Sequence, residues 1–221
     1  MANNESEDQA KSGGDVPPPA AVSFVTTEHF TLQGARSSTI AEATGRASMF
    51  LGAVSRGLVG LGLVATATGV GATFYAFGLI LLPTLAFVGL VTFSRALQSG
   101  IEDYNYAHRI ARLRGYYFRY APGMVDYLVS VPPEQRLTMQ GLRGGPWQKF
   151  VTVAGMVSVV TAVLAGSAAG LFATFLSRQL LIAALAGVLV AVGVLVGMIS
   201  IQTAAWHRVR KASLFADEQI S

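Results

Sequence analysis

Cysteine is absent from this chain and charged residues are scarce. The lack of cysteine excludes disulfides and thiolate-bound metals. Charged residues make up 13% of the sequence, against about 25% in an ordinary soluble domain. None lies between Arg56 and Arg95, or between Lys149 and Arg178. A helix needs about 20 mostly apolar residues to cross the bilayer core, so these stretches predict an integral membrane protein.

The apolar stretches also lack the groups that catalysis requires. The run 166–170, GSAAG, offers a serine, but the predicted spans contain no His, Asp, Glu or Lys to activate it. The three histidines, at 29, 108 and 207, are far apart, and none has a metal-ligand partner four residues on. We therefore expect no catalytic residues, no bound metal and no cofactor, and a protein that is not an enzyme.

The lengths of the apolar runs predict an all-α fold with four transmembrane helices arranged as two helical hairpins. The 48 residues between Arg46 and Arg95 are too long for one crossing and suit two. A glycine-rich turn at 69–72 divides the first hairpin, and a turn at 178–179 divides the second. The predicted spans are 47–68, 73–94, 150–177 and 180–206. Pro83 lies inside the second span and is expected to bend it.

The remaining segments are polar and are predicted to lie outside the bilayer. Residues 1–22 are acidic and proline-rich, and we expect them to be disordered. Residues 23–46 form a helical segment, with a capping box at Thr39 and Glu42 that predicts a helix start near Ile40. A second box, at Ser99 and Glu102, predicts an amphipathic helix over about 100–120 within the basic segment 95–149. Residues 207–221 form a tail.

The distribution of basic residues predicts the orientation. The segment 95–149 holds eight basic and four acidic residues, whereas the two short turns hold one basic residue, Arg178. The positive-inside rule then places the central segment and both termini in the cytoplasm. Trp147 and Trp206 fall at the predicted cytoplasmic ends, where indole rings prefer to lie.

Arg56 is the one charge inside a predicted span. A charge at membrane depth costs about 2.5–3.5 kcal/mol on insertion scales. Gly52 and Gly60 share its helix face, so a neighbouring helix has room to approach while Arg56 bonds carbonyls or lines a polar path. The alternative is that the side chain snorkels to lipid phosphates from a depth of about 10 Å.

Small residues recur at four-residue spacing in the second hairpin. Gly166 and Gly170 lie in the third predicted span, and Gly193 and Gly197 in the fourth. Such stripes permit close helix approach. They predict helix packing within one chain, with self-association as the alternative.

The segment 102–123 concentrates tyrosine and arginine. At helical spacing its apolar members form one stripe, and arginines border that stripe instead of opposing it. Nucleic acid favours a dense basic face, so no nucleic-acid partner is expected. A lipid surface and packing against protein remain open alternatives. The predicted interaction face comprises Tyr106, Arg109, Ile110, Arg112, Leu113, Tyr117, Arg119 and Tyr120.

The stretches TTEHFTLQGARSSTIAEATGRASMFLGAVSRGLV and HRIARLRGYYFRYAPG resemble uncharacterised bacterial multi-pass membrane proteins over about residues 26–123. The architecture is loosely similar to small transmembrane effector modules of bacterial conflict systems. The resemblance implies the bacterial inner membrane. We expect a non-enzymatic interaction or scaffold protein that contacts lipids and either copies of itself or another membrane or cytoplasmic protein. An oligomeric channel or pore-forming effector is the alternative.

Overall fold

The computed structural model describes residues 19–120 and 148–218, which are almost entirely helical and contain no strand. Helix α1 spans Pro19–Thr68, and α2 spans Ala72–Tyr120. A short helix, α3, spans Gln148–Val151 and is followed by α4 at Val153–Ser177 and α5 at Leu180–Glu218. The all-α prediction is confirmed, because four of these helices (α1, α2, α4 and α5) are long and apolar enough to cross a membrane.

The helices of each hairpin are separated by very short turns. Helix α1 ends at Thr68, and Gly69 adopts a positive φ of 69°. Helix α4 ends at Ser177, and Arg178 takes the left-handed conformation, with φ 54° and its N–H bonded to the Thr174 carbonyl. Both turns lie where the sequence predicted them.

The predicted helix starts at the two capping boxes are wrong. Thr39 lies inside α1, where its hydroxyl donates to the Ala35 carbonyl at 3.0 Å. Such bonding four residues back satisfies the hydroxyl without a helix end. Likewise α2 continues through Gly100 and Glu102 to Tyr120. The predicted disordered tail 1–22 lies mostly outside the described residues, and the predicted helix stop at 121–123 does so entirely.

The start of the second hairpin and the end of the last helix also differ from the sequence prediction. Thr152 separates α3 from α4 as an N-cap, and its side-chain oxygen accepts the Gly155 N–H at 3.0 Å. Helix α5 continues past Trp206 to Glu218. Helix α2 runs unbroken past Pro83, which lies on an exposed face.

The chain divides into two compact units, and α1 and α2 contribute to both. We call the described parts of the first, 19–39 and 102–120, the paired-helix unit. The second, which we call the four-helix unit, comprises 40–101 and 148–218. Its core draws on α1, α2, α4 and α5, and includes Phe50, Phe93, Val157, Leu164 and Met198.

Glycines set the closest helix contacts in the four-helix unit. A Cβ added at Gly166 would lie 2.6 Å from the Gly187 carbonyl oxygen, so α4 and α5 meet backbone to backbone. A Cβ at Gly89 would collide with Thr161 Oγ1 and would lie 2.9 Å from the Phe50 ring, so α2 contacts α4 and α1 there. At Gly166 the nearest atoms belong to the backbone or to the rigid Ala191 Cβ, so that position accepts no side chain unless a helix moves.

The two turns lie at the same end of the four-helix unit. The rings of Tyr75, near the start of α2, and Phe175, near the end of α4, are 5.7 Å apart. At the other end Gly100 of α2 lies next to the Trp206 ring of α5. We call the end with the two turns the turn end. We call the opposite end the charged end, because Glu42, Arg46 and Arg95 lie toward it.

Candidate functional site

The paired-helix unit is joined by an ion pair. Arg36 Nε donates to Asp103 Oδ1 at 2.5 Å, and a second guanidinium nitrogen lies 3.4 Å from Oδ2. Both side chains are about 28–29% exposed. A forked arginine–carboxylate pair fixes orientation as well as distance. It therefore holds this part of α1 alongside the extension of α2 that carries the tyrosine–arginine stripe.

The apolar stripe on α2 faces protein where its side chains are described. Ile110 is 4% exposed and its neighbour Ala107 is 3% exposed, while Tyr106 and Leu113 are half-buried. In the same unit Leu32 of α1 is 5% exposed. Of the two alternatives left open by the sequence, these residues favour packing against protein of the same chain.

Two of the arginines at the edge of the stripe are more exposed than the stripe itself. Arg109 and Arg112 are both exposed, and Arg114 is half-buried. Side chains of α2 are described as far as Arg114, so those of Tyr117, Arg119 and Tyr120 lie outside the described residues. The exposed edge of this unit therefore carries positive charge at Arg109 and Arg112.

The sequence analysis did not identify the ionic cluster at the charged end. Glu42 accepts from Arg46 at 2.9 Å within α1 and from Arg95 of α2 at 3.3 Å. The hydrogen bonds and positive charges of Arg46 and Arg95, in that order, hold the pKa of the Glu42 carboxyl below its ordinary value. The i, i+4 spacing of Glu42 and Arg46 was a visible signal. The contact with Arg95 depends on the helices coming together.

Arg56 is exposed and points away from the core of the four-helix unit. Within the four-helix unit the buried apolar residues of α1 are Ala43, Ala47, Phe50 and Val54, and Arg56 lies roughly 150° around the helix from their centre. It is twelve residues from Thr68, the turn end of α1, which is about 18 Å at helical rise.

The glycines beside Arg56 make few contacts. An added Cβ at Gly52 would meet no atom within 4 Å, and one at Gly60 would touch only the edge of the Phe77 ring at 3.8 Å. The close approach on α1 occurs instead at Gly57, beside Leu81 and Leu85 of α2. The face carrying Arg56 therefore has open space at Gly52 and an ordinary van der Waals contact at Gly60.

The two glycine pairs of the second hairpin have different surroundings. Gly166 and Gly170 of α4 lie against Gly187 and Ala183 of α5, at backbone distance. Gly193 and Gly197 of α5 face open space, with nothing described within 4 Å of an added Cβ. Packing within the chain thus accounts for the first pair and not for the second.

Polar groups inside the four-helix unit bond mainly to helix backbone. Ser158 and Thr161 are fully buried and donate to the carbonyls of Gly155 and Val157. The buried Gln202 side chain donates to Thr152 Oγ1 at 3.4 Å. Among residues 19–120 and 148–218, no group of three or more His, Asp or Glu side chains is placed to hold a metal ion.

Comparisons with protein-family models, curated proteins and solved structures find no match to this chain.

Proposed function

We propose that this protein is a non-enzymatic membrane interaction protein of the bacterial inner membrane, with both termini in the cytoplasm. The paired-helix unit presents a cationic edge to a cytoplasmic or membrane partner. The observation that carries this proposal is the difference in exposure between neighbouring residues of α2. Ile110 is buried, whereas the adjacent Arg109 is exposed. The apolar stripe holds the unit together, and Arg109 remains exposed for contact.

Site-specific photo-crosslinking tests this proposal in living cells. A photo-reactive amino acid at position 109 is expected to yield intermolecular adducts with a discrete partner. The same group at position 110 is the matched control, because that side chain is buried within the chain and is expected to yield internal adducts only. Equal adduct patterns at the two positions, or none at 109, would contradict the proposal.

The orientation rests on the charge distribution and has a separate test. Reporter fusions at residue 70 or 178 should read as non-cytoplasmic, and fusions at either terminus as cytoplasmic. A cytoplasmic reading at either turn would overturn the orientation without affecting the packing described above.

A pore is the second candidate, and the exposure of Arg56 at depth favours it. A charge in the hydrocarbon layer is unfavourable unless protein or water surrounds it. If copies assemble around a polar path, reconstituted protein should leak anions and Arg56→Ala should change that leak. Vesicles that stay sealed at high protein load would exclude this candidate and leave the interaction protein.

A further inference from the structure

Two open faces of the four-helix unit match in depth. Arg56 is twelve residues from the turn end of α1, and Gly193 is thirteen residues from the turn end of α5. At helical rise these distances are about 18 and 20 Å. Gly52 and Gly197 match in the same way, at about 24 and 26 Å. Because the two turns lie at one end of the unit, the distances along α1 and α5 are measured from the same end and can be compared directly.

The two faces also have complementary shapes. On α1 a long cationic side chain stands between two glycines, and on α5 two glycines one turn apart leave a shallow recess. The recess lies roughly 100° around α5 from Ala183, Gly187 and Ala191, the residues that face α4. Packing within one chain therefore leaves it uncovered.

We infer that Arg56 of one copy inserts at Gly193 of the next copy, so that α1 packs against α5 between neighbouring chains. Each helical carbonyl has a second lone pair, and the guanidinium carries five donors. The recess at Gly193 and Gly197 brings those carbonyls within reach. All copies enter the membrane in one orientation, so faces at equal depth meet directly.

Two other arrangements fit the observations less well. Two copies that paired through α1 alone would bring two Arg56 charges together in a low-dielectric layer. Arg56 also lies about 15 Å along α1 from Arg46, and this distance is longer than an arginine side chain. Snorkelling toward the charged end would therefore bring the guanidinium only part of the way out of the hydrocarbon layer. The α1–α5 contact avoids both problems.

This contact is head-to-tail, since each copy inserts its own Arg56 through α1 and accepts the Arg56 of another copy at Gly193 of α5. Such interfaces close into rings or continue as chains, in contrast to a two-fold dimer. The inference depends on the chain spanning a membrane and does not depend on the cationic edge of the paired-helix unit. Loss of crosslinking at position 109 would leave it intact.

The natural absence of cysteine allows a direct test by disulfide mapping in native membranes. The full chain carrying both Gly52→Cys and Gly197→Cys is expected to form a ladder of disulfide-linked species beyond the dimer. Neither position has an atom within 4 Å of its Cβ, whereas a disulfide needs Cβ atoms about 3.5–4.5 Å apart, so a bridge within one chain is not expected. Each single variant should stay monomeric on the gel.

The control pair is Gly62→Cys with Gly197→Cys. Gly62 is also open and lies on α1, but it is about 15 Å nearer the turn end than Gly52. It should give no ladder. Adding Gly193→Leu to the first pair should reduce the crosslinked fraction at least tenfold without lowering the melting temperature, because that side chain meets nothing in its own chain and leucine favours the helix over glycine. Arg56→Leu should give a similar reduction.

Three results would overturn the inference. Dimers from Gly52→Cys alone would show that α1 meets α1. If the chain carrying Gly52→Cys and Gly197→Cys stays monomeric at native protein density, lipid covers Arg56. A ladder that persists with Gly193→Leu or Arg56→Leu would show that these two residues do not form the contact.

Discussion

Replacing Gly166 by alanine should weaken the four-helix unit, because no flexible group is available to move aside. The new Cβ would lie 2.6 Å from the Gly187 carbonyl oxygen and 2.7 Å from Ala191 Cβ. Ordinary contact begins at 3.4 Å, so α4 and α5 would have to separate by roughly 0.8 Å. Overpacking of this kind costs about 1–3 kcal/mol.

Gly62→Ala is the matched control for that substitution. Both changes replace a helical glycine by alanine, which by itself favours the helix by about 1 kcal/mol. Gly62 has open space around its Cβ position. The difference in unfolding free energy between the two variants therefore isolates the packing cost, and we expect Gly166→Ala to be about 1–3 kcal/mol less stable.

Unfolding by titration with a denaturing detergent in mixed micelles measures this difference. Gly78→Ala adds a further comparison, since its Cβ would meet only flexible side chains, with Leu171 Cδ2 at 2.5 Å and Leu61 Cδ1 at 3.4 Å. We expect its loss to be smaller than that of Gly166→Ala. Equal stability of the Gly166 and Gly62 variants would refute the reasoning that α4 and α5 touch through their backbones.

Three further predictions follow from the ion pairs and the cap. Arg36→Ala and Asp103→Ala should each speed amide exchange in the paired-helix unit, with a coupling of about 0.5–1 kcal/mol in a double-mutant cycle; a cycle that is additive would contradict the pair. The pKa of Glu42 is lowered in the folded chain, so its contribution is present above the ordinary carboxyl pKa and is lost as pH falls through the lowered value. Thermal melts across that range should converge for wild type and Glu42→Gln at low pH, and a constant gap would contradict this. Thr152→Ala should cost about 1 kcal/mol by detergent titration, with Thr152→Ser close to wild type; equal losses would argue against the cap.

The four apolar runs and both turns follow from the sequence because the thickness of the bilayer sets the minimum length of a run that can cross it. The runs without charge set the spans, and Gly69 marks a turn that a Cβ would disfavour. These signals are local and strong. No comparable local signal places Arg95 beside Glu42 or Arg36 beside Asp103, since each of these contacts joins α1 to α2.

The capping boxes misled the sequence prediction for a physical reason. Thr39 and Glu42 satisfy the local pattern, yet the hydroxyl bonds within the helix and the carboxylate bonds two arginines. Similarly, Gly166 and Gly193 belong to stripes with the same spacing. Spacing identifies a face, but only the arrangement of α4 and α5 decides which face is covered.

The number of chains per assembly in native lipid tests the central claim that this protein acts through protein contacts in the membrane. Mass measurement of the 23.2 kDa chain, extracted in lipid discs without detergent, is the most direct form of the experiment. The account predicts assemblies of several copies that Arg56→Leu disperses. Single chains without any protein partner, for both wild type and Arg56→Leu, would contradict it.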